Sequence, residues 1–190
     1  CYFPTKSGVM HKHFKEKPGE MRRLVDLCRQ NGIKIMAYYS LIFNTREHDR
    51  HPEWRMLTDN GQSRRERGNA PSDGLAFASK QLARYGLLCP NNEEYFEFTK
   101  TQINELLDYC KPDGIFFDMP FWPAGSIMCF CDSCKKRWAD EIGGEPSRNP
   151  AVGSEEYVNM LQKKYQWMGE WTQKVTDYVK SKDQSLAVYH

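Results

Sequence analysis

No apolar run of 18 or more residues occurs in this 190-residue chain, so no segment reads as a membrane-spanning helix. Neither sign of charge dominates: 27 Lys and Arg stand against 25 Asp and Glu, for a net charge of +2. A nucleic-acid footprint needs a concentrated basic face. The densest basic cluster, Arg64-Arg65-Glu66-Arg67, is short, carries its own Glu and reads as a solvated loop. Neither a nucleic acid nor a membrane is therefore expected as a partner. No strand pattern is followed by the short glycine-rich loop of a doubly wound dinucleotide fold, and no organic cofactor is expected. Internal repeats and low-complexity tracts are missing as well. The 7 cysteines are an odd number, unlike a secreted disulfide framework. The first residue is Cys1, with no charged or apolar leader behind it, so no signal peptide is visible and no compartment is indicated. The last residues, Ser185 to His190, are a strand pattern with nothing after it. The expectation is one partial domain over residues 1–190, truncated at both ends.

What is present alternates helix and strand. Residues 1–17 read as an irregular loop, and Pro18 as a first-turn residue. Met21, Leu24, Val25 and Cys28 recur at helical spacing, and Gly32 closes that helix as a left-handed cap. Residues 33–40 form an apolar strand. Asn91-Asn92-Glu93-Glu94 caps a helix that runs to Cys110, with Phe96, Ile103, Leu106, Leu107 and Cys110 inward; Cys28 and Cys110 read as buried thiols. A short helix around Trp138 and Ile142 precedes a Gly/Pro/Asn linker at 143–153. A long helix then carries the stripe Val158, Leu161, Tyr165, Met168, Thr172, Val175 and Val179. Residues 186–190 form the last strand. Three strands alternating with helices imply a parallel sheet, and the long insertions all follow strands. That places the chain in the α/β class, as a slice of a (β/α)8 TIM barrel comprising about strands three to five; a doubly wound sheet is the weaker alternative.

Asp113-Gly114-Ile115-Phe116-Phe117-Asp118 is the stretch that carries chemistry. A four-residue apolar run bounded by turn signals reads as a buried strand, and its two carboxylates lie about 16 Å apart at its ends. Asp113 caps the turn that enters the strand. Asp118 stands at the C-terminal end, where barrel enzymes keep their catalytic groups. Residues 41–90 lack a convincing helix or strand, a length that usually marks a functional loop. Cys129-x-Cys131-x-x-Cys134 places three thiols within six residues at the start of a helix, a tetrahedral zinc site lacking one ligand, which Cys89 is available to supply. A zinc-ribbon module would want a second close cysteine pair, and the chain has none.

Gly32-Ile33-Lys34-Ile35-Met36-Ala37-Tyr38-Tyr39-Ser40, then His51-Pro52-Glu53-Trp54, then Asp113 to Asp118, resemble the barrel of the glycosyl hydrolases related to the α-L-fucosidases, glycoside hydrolase family 29. The resemblance covers most of residues 1–145. It implies that the two strands are the third and fourth of the barrel, that Tyr2 to Lys6 is the loop after strand two, and that Asp118 matches the fucosidase nucleophile. The His-His-Asp-Gly-type segment of strand two is absent from this chain, and no residue maps onto the acid/base carboxylate. The cysteine layout is similar to the structural zinc cluster of the family 42 β-galactosidases, where an isolated Cys before Pro-Asn joins a Cys-x-Cys-x-x-Cys after strand four. Zinc held by Cys89, Cys129, Cys131 and Cys134 would pin a loop, because four thiolates leave no open position for chemistry.

The expected function is hydrolysis of glycosidic bonds in a carbohydrate substrate. Asp118 is the catalytic carboxylate, and Tyr39, His51, Trp54, Trp122 and His190 are sugar contacts, with Phe121 as a further flat face. Two carboxyl groups are needed; Glu53 and Asp73 are candidate partners, and one partial domain by itself is expected to be inactive. The alternatives are a non-catalytic carbohydrate-binding or scaffolding barrel and a β-galactosidase-like hydrolase.

Overall fold

The computed structural model describes residues 1–63, 85–122 and 127–190. Its elements are α1 (Lys12–Glu16), α2 (Glu20–Gln30), β1 (Met36–Ser40), α3 (Thr45–Arg50), a 3₁₀ turn (Pro52–Trp54), α4 (Glu93–Cys110), β2 (Gly114–Asp118), α5 (Asp132–Glu141), α6 (Glu155–Lys182) and β3 (Ala187–Tyr189). The fold is mixed α/β with a small parallel three-stranded sheet in the order β1-β2-β3. The chain divides into two compact units. One comprises Cys1–Tyr39, Phe96–Asp118 and Gln173–His190; the other comprises Ser40–Tyr95 and Met119–Thr172.

The first unit holds the sheet. β2 pairs with β3 through Gly114↔Ala187, Ile115↔Val188 and Phe116↔Tyr189. Parity then sorts the side chains. Ile115 and Phe117 are fully buried on one face, each contributing about 1.5–3 kcal/mol by leaving water. Phe116 and Asp118 lie on the other face. Gly114 is a glycine because a Cβ there would sit 2.4 Å from the Ala187 carbonyl oxygen and 2.6 Å from the Met36 sulfur. Asp113 does more than cap a turn. Its carboxylate accepts the Ile35 N–H at 2.9 Å and pairs with Lys34 at 2.8 Å, clamping the entry of β1 to that of β2. The Lys34 hydrogen bond, with that of Ile35, holds its carboxyl below the usual range.

α2 ends where Gly32 takes φ +69°; Ile33 N–H donates to the Cys28 carbonyl and Gly32 N–H to that of Arg29, a Schellman closure. Its start differs from expectation. Gly19 is the N-cap, with φ +94°, and Pro18 lies outside the helix. Leu24 is 53% exposed and Cys28 only half-buried, so Val25 alone carries that helix into the core. The Tyr2–Lys6 segment runs into Ser7, and Glu105 of α4 holds it by accepting the Lys6 and Ser7 N–H groups at 3.0 and 3.1 Å.

The second unit contains two elements unseen in the sequence, α3 and the 3₁₀ turn. Asn44 caps α3 by accepting the Glu47 N–H at 3.2 Å. In the part of α6 up to Thr172 the buried positions are Met160, Lys164, Trp167, Met168 and Trp171, while Val158 and Tyr165 of the expected stripe are 42% and 70% exposed. The large indoles rotate the helix onto their own face, because an aromatic ring removes more apolar area from water than a valine.

Candidate functional site

Asp118 ends β2, half-buried, and Oδ2 of its carboxylate accepts a hydrogen bond from the Tyr38 hydroxyl at 2.7 Å. Tyr38 reaches it because β1 and β2 are neighbours and both residues share one face of the sheet. On that face Tyr38, Phe116 and Tyr189 form an aromatic row, with centroids 5.8 and 5.4 Å apart. The residue after Asp118, Met119, adopts φ +64°. A left-handed non-glycine is a sparsely populated state, costing on the order of 1 kcal/mol.

Two expected sugar contacts of the same unit lie on the opposite face. Tyr39 donates to Gln102 of α4 at 2.7 Å and packs edge-on against Phe117 at 5.9 Å. His190 stacks on Phe117 at 5.4 Å and bonds Thr176 of α6 at 2.7 Å; burial lowers its pKa. The structure therefore brings Tyr38, rather than Tyr39 or His190, to Asp118. The only sequence signal able to separate the two tyrosines was parity relative to Asp118, and that required the strand register.

The other expected contacts belong to the second unit. Trp54 is 6% exposed; its indole N–H donates to Glu94 at 3.0 Å, and His51 stacks on it at 3.6 Å. His51 also bonds Glu53 at 2.9 Å. Trp122 is buried too, so Trp54 and Trp122 pack the interior instead of presenting open faces. Phe121 is 41% exposed, against Phe43. Glu53, offered as an acid partner, has its pKa lowered by a backbone hydrogen bond and by His51, whereas a general acid needs the reverse. Asp73 and the Arg64–Arg67 cluster lie outside the described residues.

The four cysteines do come together. The sulfurs of Cys89, Cys129, Cys131 and Cys134 all lie within 4.8 Å of one another, and all four residues are buried. Cys89 and Cys134 approach to 3.3 Å. A tetrahedral zinc with Zn–S near 2.3 Å requires sulfurs about 3.8 Å apart, so the donor set and its spacing could hold such an ion. The surroundings suit thiolates: Leu57 and Cys131 N–H groups point at the Cys129 sulfur at 3.4 Å, and the Asn91 amide points at Cys134 at 3.2 Å. Burial pushes the Cys89 and Cys134 thiols well up, while hydrogen bonds from Cys129, Cys134 and Cys89 pull Cys131 far down. A dication is what would let all four ionise together.

Beside the cluster, Arg137 of α5 binds Glu141 at 2.6 Å, the Asn91 side-chain oxygen at 3.0 Å, and Glu170. Lys163 at 2.8 Å and the Trp167 indole at 3.0 Å also reach Glu141. Burial opposes ionisation of Glu141, but the hydrogen bonds from Lys163, Arg137 and Trp167 outweigh it and hold its pKa at about 2.

The chain matches known proteins in two comparisons. The model of the family described as Hypothetical glycosyl hydrolase 6 matches residues 1–119, well over half of the chain. Among solved structures, alpha-L-fucosidase isoenzyme 2 from Paenibacillus thiaminolyticus is similar at 18% identity with a TM-score of 0.68, covering 100% of this chain and 25% of that one. At this identity the likeness is one of fold, and the chain spans a quarter of the fucosidase's length. No curated protein matches the chain.

Proposed function

The chain belongs to the hypothetical glycosyl hydrolase 6 family, and on that premise we propose that it is part of a (β/α)8 barrel that hydrolyses glycosidic bonds, with Asp118 as the nucleophile. The observation that carries this reading is the Asp118 carboxylate at the C-terminal end of the central strand, with the Tyr38 hydroxyl on Oδ2 at 2.7 Å. In a parallel barrel that end of the strand faces the substrate. Tyr38 stops rotation of the carboxylate, so attack on the anomeric carbon comes from a defined direction. A retaining mechanism then needs a carboxylic acid about 5–5.5 Å away to protonate the leaving oxygen. The fold likeness to an alpha-L-fucosidase makes an α-L-fucoside-type sugar the first substrate to try.

Cys89, Cys129, Cys131 and Cys134 would hold a structural zinc, which when bound would tie the 89–92 segment to the start of α5. Its role is stability, since four thiolates complete the coordination.

The test uses the full-length protein on aryl α-L-fucosides and β-D-galactosides. Turnover of one of these, reduced at least 10³-fold in Asp118→Asn with an unchanged unfolding midpoint, is the expected result. Retained turnover in that variant overturns the role of Asp118. A folded wild type inactive on every aryl glycoside favours the non-catalytic barrel.

A further inference from the structure

One side chain beside the cysteine cluster, that of Asn91, is held in a specific orientation. Asn91 Nδ2 lies 3.2 Å from the Cys134 sulfur, and its Oδ1 lies 3.0 Å from Arg137 Nη1. A guanidinium can only donate hydrogen bonds, so the oxygen must face Arg137 and the N–H₂ must face the sulfur. Arg137 cannot swing away, because Glu141 holds Nε at 2.6 Å and Glu170 holds Nη2. The Trp167 ring lies against the guanidinium at 5.0 Å. Two helices, α5 and α6, thus fix one amide.

We propose that Asn91 is the positioning residue of the metal centre: Arg137 aims its amide N–H at Cys134 so that the sulfur binds a divalent, tetrathiolate-preferring cation as a thiolate. The inference rests on the metal-binding reading above. The chemical reason is charge. Four thiolates around a dication leave a net charge of −2 in a buried site. N–H donors to sulfur disperse that charge, and outer-shell partners of this kind typically change metal affinity 10–100-fold. Leu57 and Cys131 supply such donors to Cys129 from the backbone, where an ordinary side-chain substitution leaves them in place. Asn91 supplies one from a side chain, so it is the donor that mutation can test.

Asn91→Asp is the decisive variant. The carboxylate keeps the size of the amide and keeps, or strengthens, the contact with Arg137, so a role in merely bridging the segment to α5 survives. The donor to Cys134 is replaced by an anionic oxygen. Zinc affinity is measured on the full-length protein by competition with a chromophoric chelator, and Co²⁺ is used as a spectroscopic probe. The wild type is expected to bind one Co²⁺ per chain with the intense thiolate-to-metal charge-transfer bands of a tetrathiolate site. Asn91→Asp should bind zinc at least 10-fold more weakly, and its charge-transfer bands should move to lower energy as the sulfur loses its hydrogen bond. Asn91→Ala should show both effects, and serves if the Asp variant fails to fold. Equal zinc affinity in wild type and Asn91→Asp, or in wild type and Asn91→Ala, overturns the proposal while leaving the metal site standing. A folded wild type that binds neither zinc nor cobalt overturns the metal site and the proposal together.

Discussion

Replacing Glu141 by Gln should destabilise the protein at neutral pH and cost less and less as the solution is acidified. Glu141 receives Arg137, Lys163 and the Trp167 indole, and its pKa falls from the ordinary 4.5 to about 2. One pKa unit corresponds to about 1.4 kcal/mol, so this gap sets a ceiling of about 3 kcal/mol. The side chain is 26% exposed, and solvent screening lowers the expectation to about 1–2 kcal/mol. The sign follows from the lowered folded-state value: the unfolded chain takes up its proton first as the pH falls. The contribution is therefore whole above about pH 4.5 and is lost as the pH drops towards 2. Urea unfolding of wild type and Glu141→Gln at pH 7, 5 and 3 measures it directly. The gap should be constant between pH 7 and 5 and shrink by pH 3. A gap that is absent at pH 7, or that widens in acid, would refute the reasoning.

Three further outcomes follow from the geometry. Gly114→Ala forces a methyl to 2.4 Å from the Ala187 carbonyl oxygen; Met36 can turn aside but the backbone cannot. It should cost about 1–3 kcal/mol in urea unfolding, and wild-type stability would show that the sheet gives way there. Cys131→Ser should abolish stoichiometric metal and lower Tm, read by metal analysis and thermal melts; seven freely titrating thiols in the native wild type would exclude a metal centre. Tyr38→Phe removes a hydrogen bond to a charged group, worth about 1.5 kcal/mol. It should lower Tm by about 3–6 °C and, if the bond also holds the reacting carboxylate, kcat/KM by about tenfold; an unaltered rate would remove Tyr38 from the site.

Much of this architecture was legible in advance for physical reasons that can be named. β2 is a short apolar run between turn signals, α4 has caps at its start and an apolar stripe, and Cys89 meets Cys129, Cys131 and Cys134 as the resemblance to the family 42 cluster implies. α3 was not legible, because Thr45–Arg50 is polar throughout and shows no apolar period, yet Glu47 and His48 are buried within the fold. The face of β1 was hidden for the opposite reason. Ile33 to Tyr39 is apolar at nearly every position, so alternation is lost, and only the pairing with β2 assigns Tyr38 to Asp118 and Tyr39 to Gln102. Trp54 and Trp122 read equally well as sugar platforms or as packing in a sequence; their burial favours packing.

As the proposed nucleophile, Asp118 must meet the sugar. The most direct measurement is incubation of the full-length protein with 2-deoxy-2-fluoro fucoside and galactoside reagents, followed by peptide mass spectrometry. A single glycosyl adduct on the peptide that contains Asp118, at its carboxylate, is the expected result. An adduct on another carboxylate, or continued turnover with Asp118 unmodified, would contradict it.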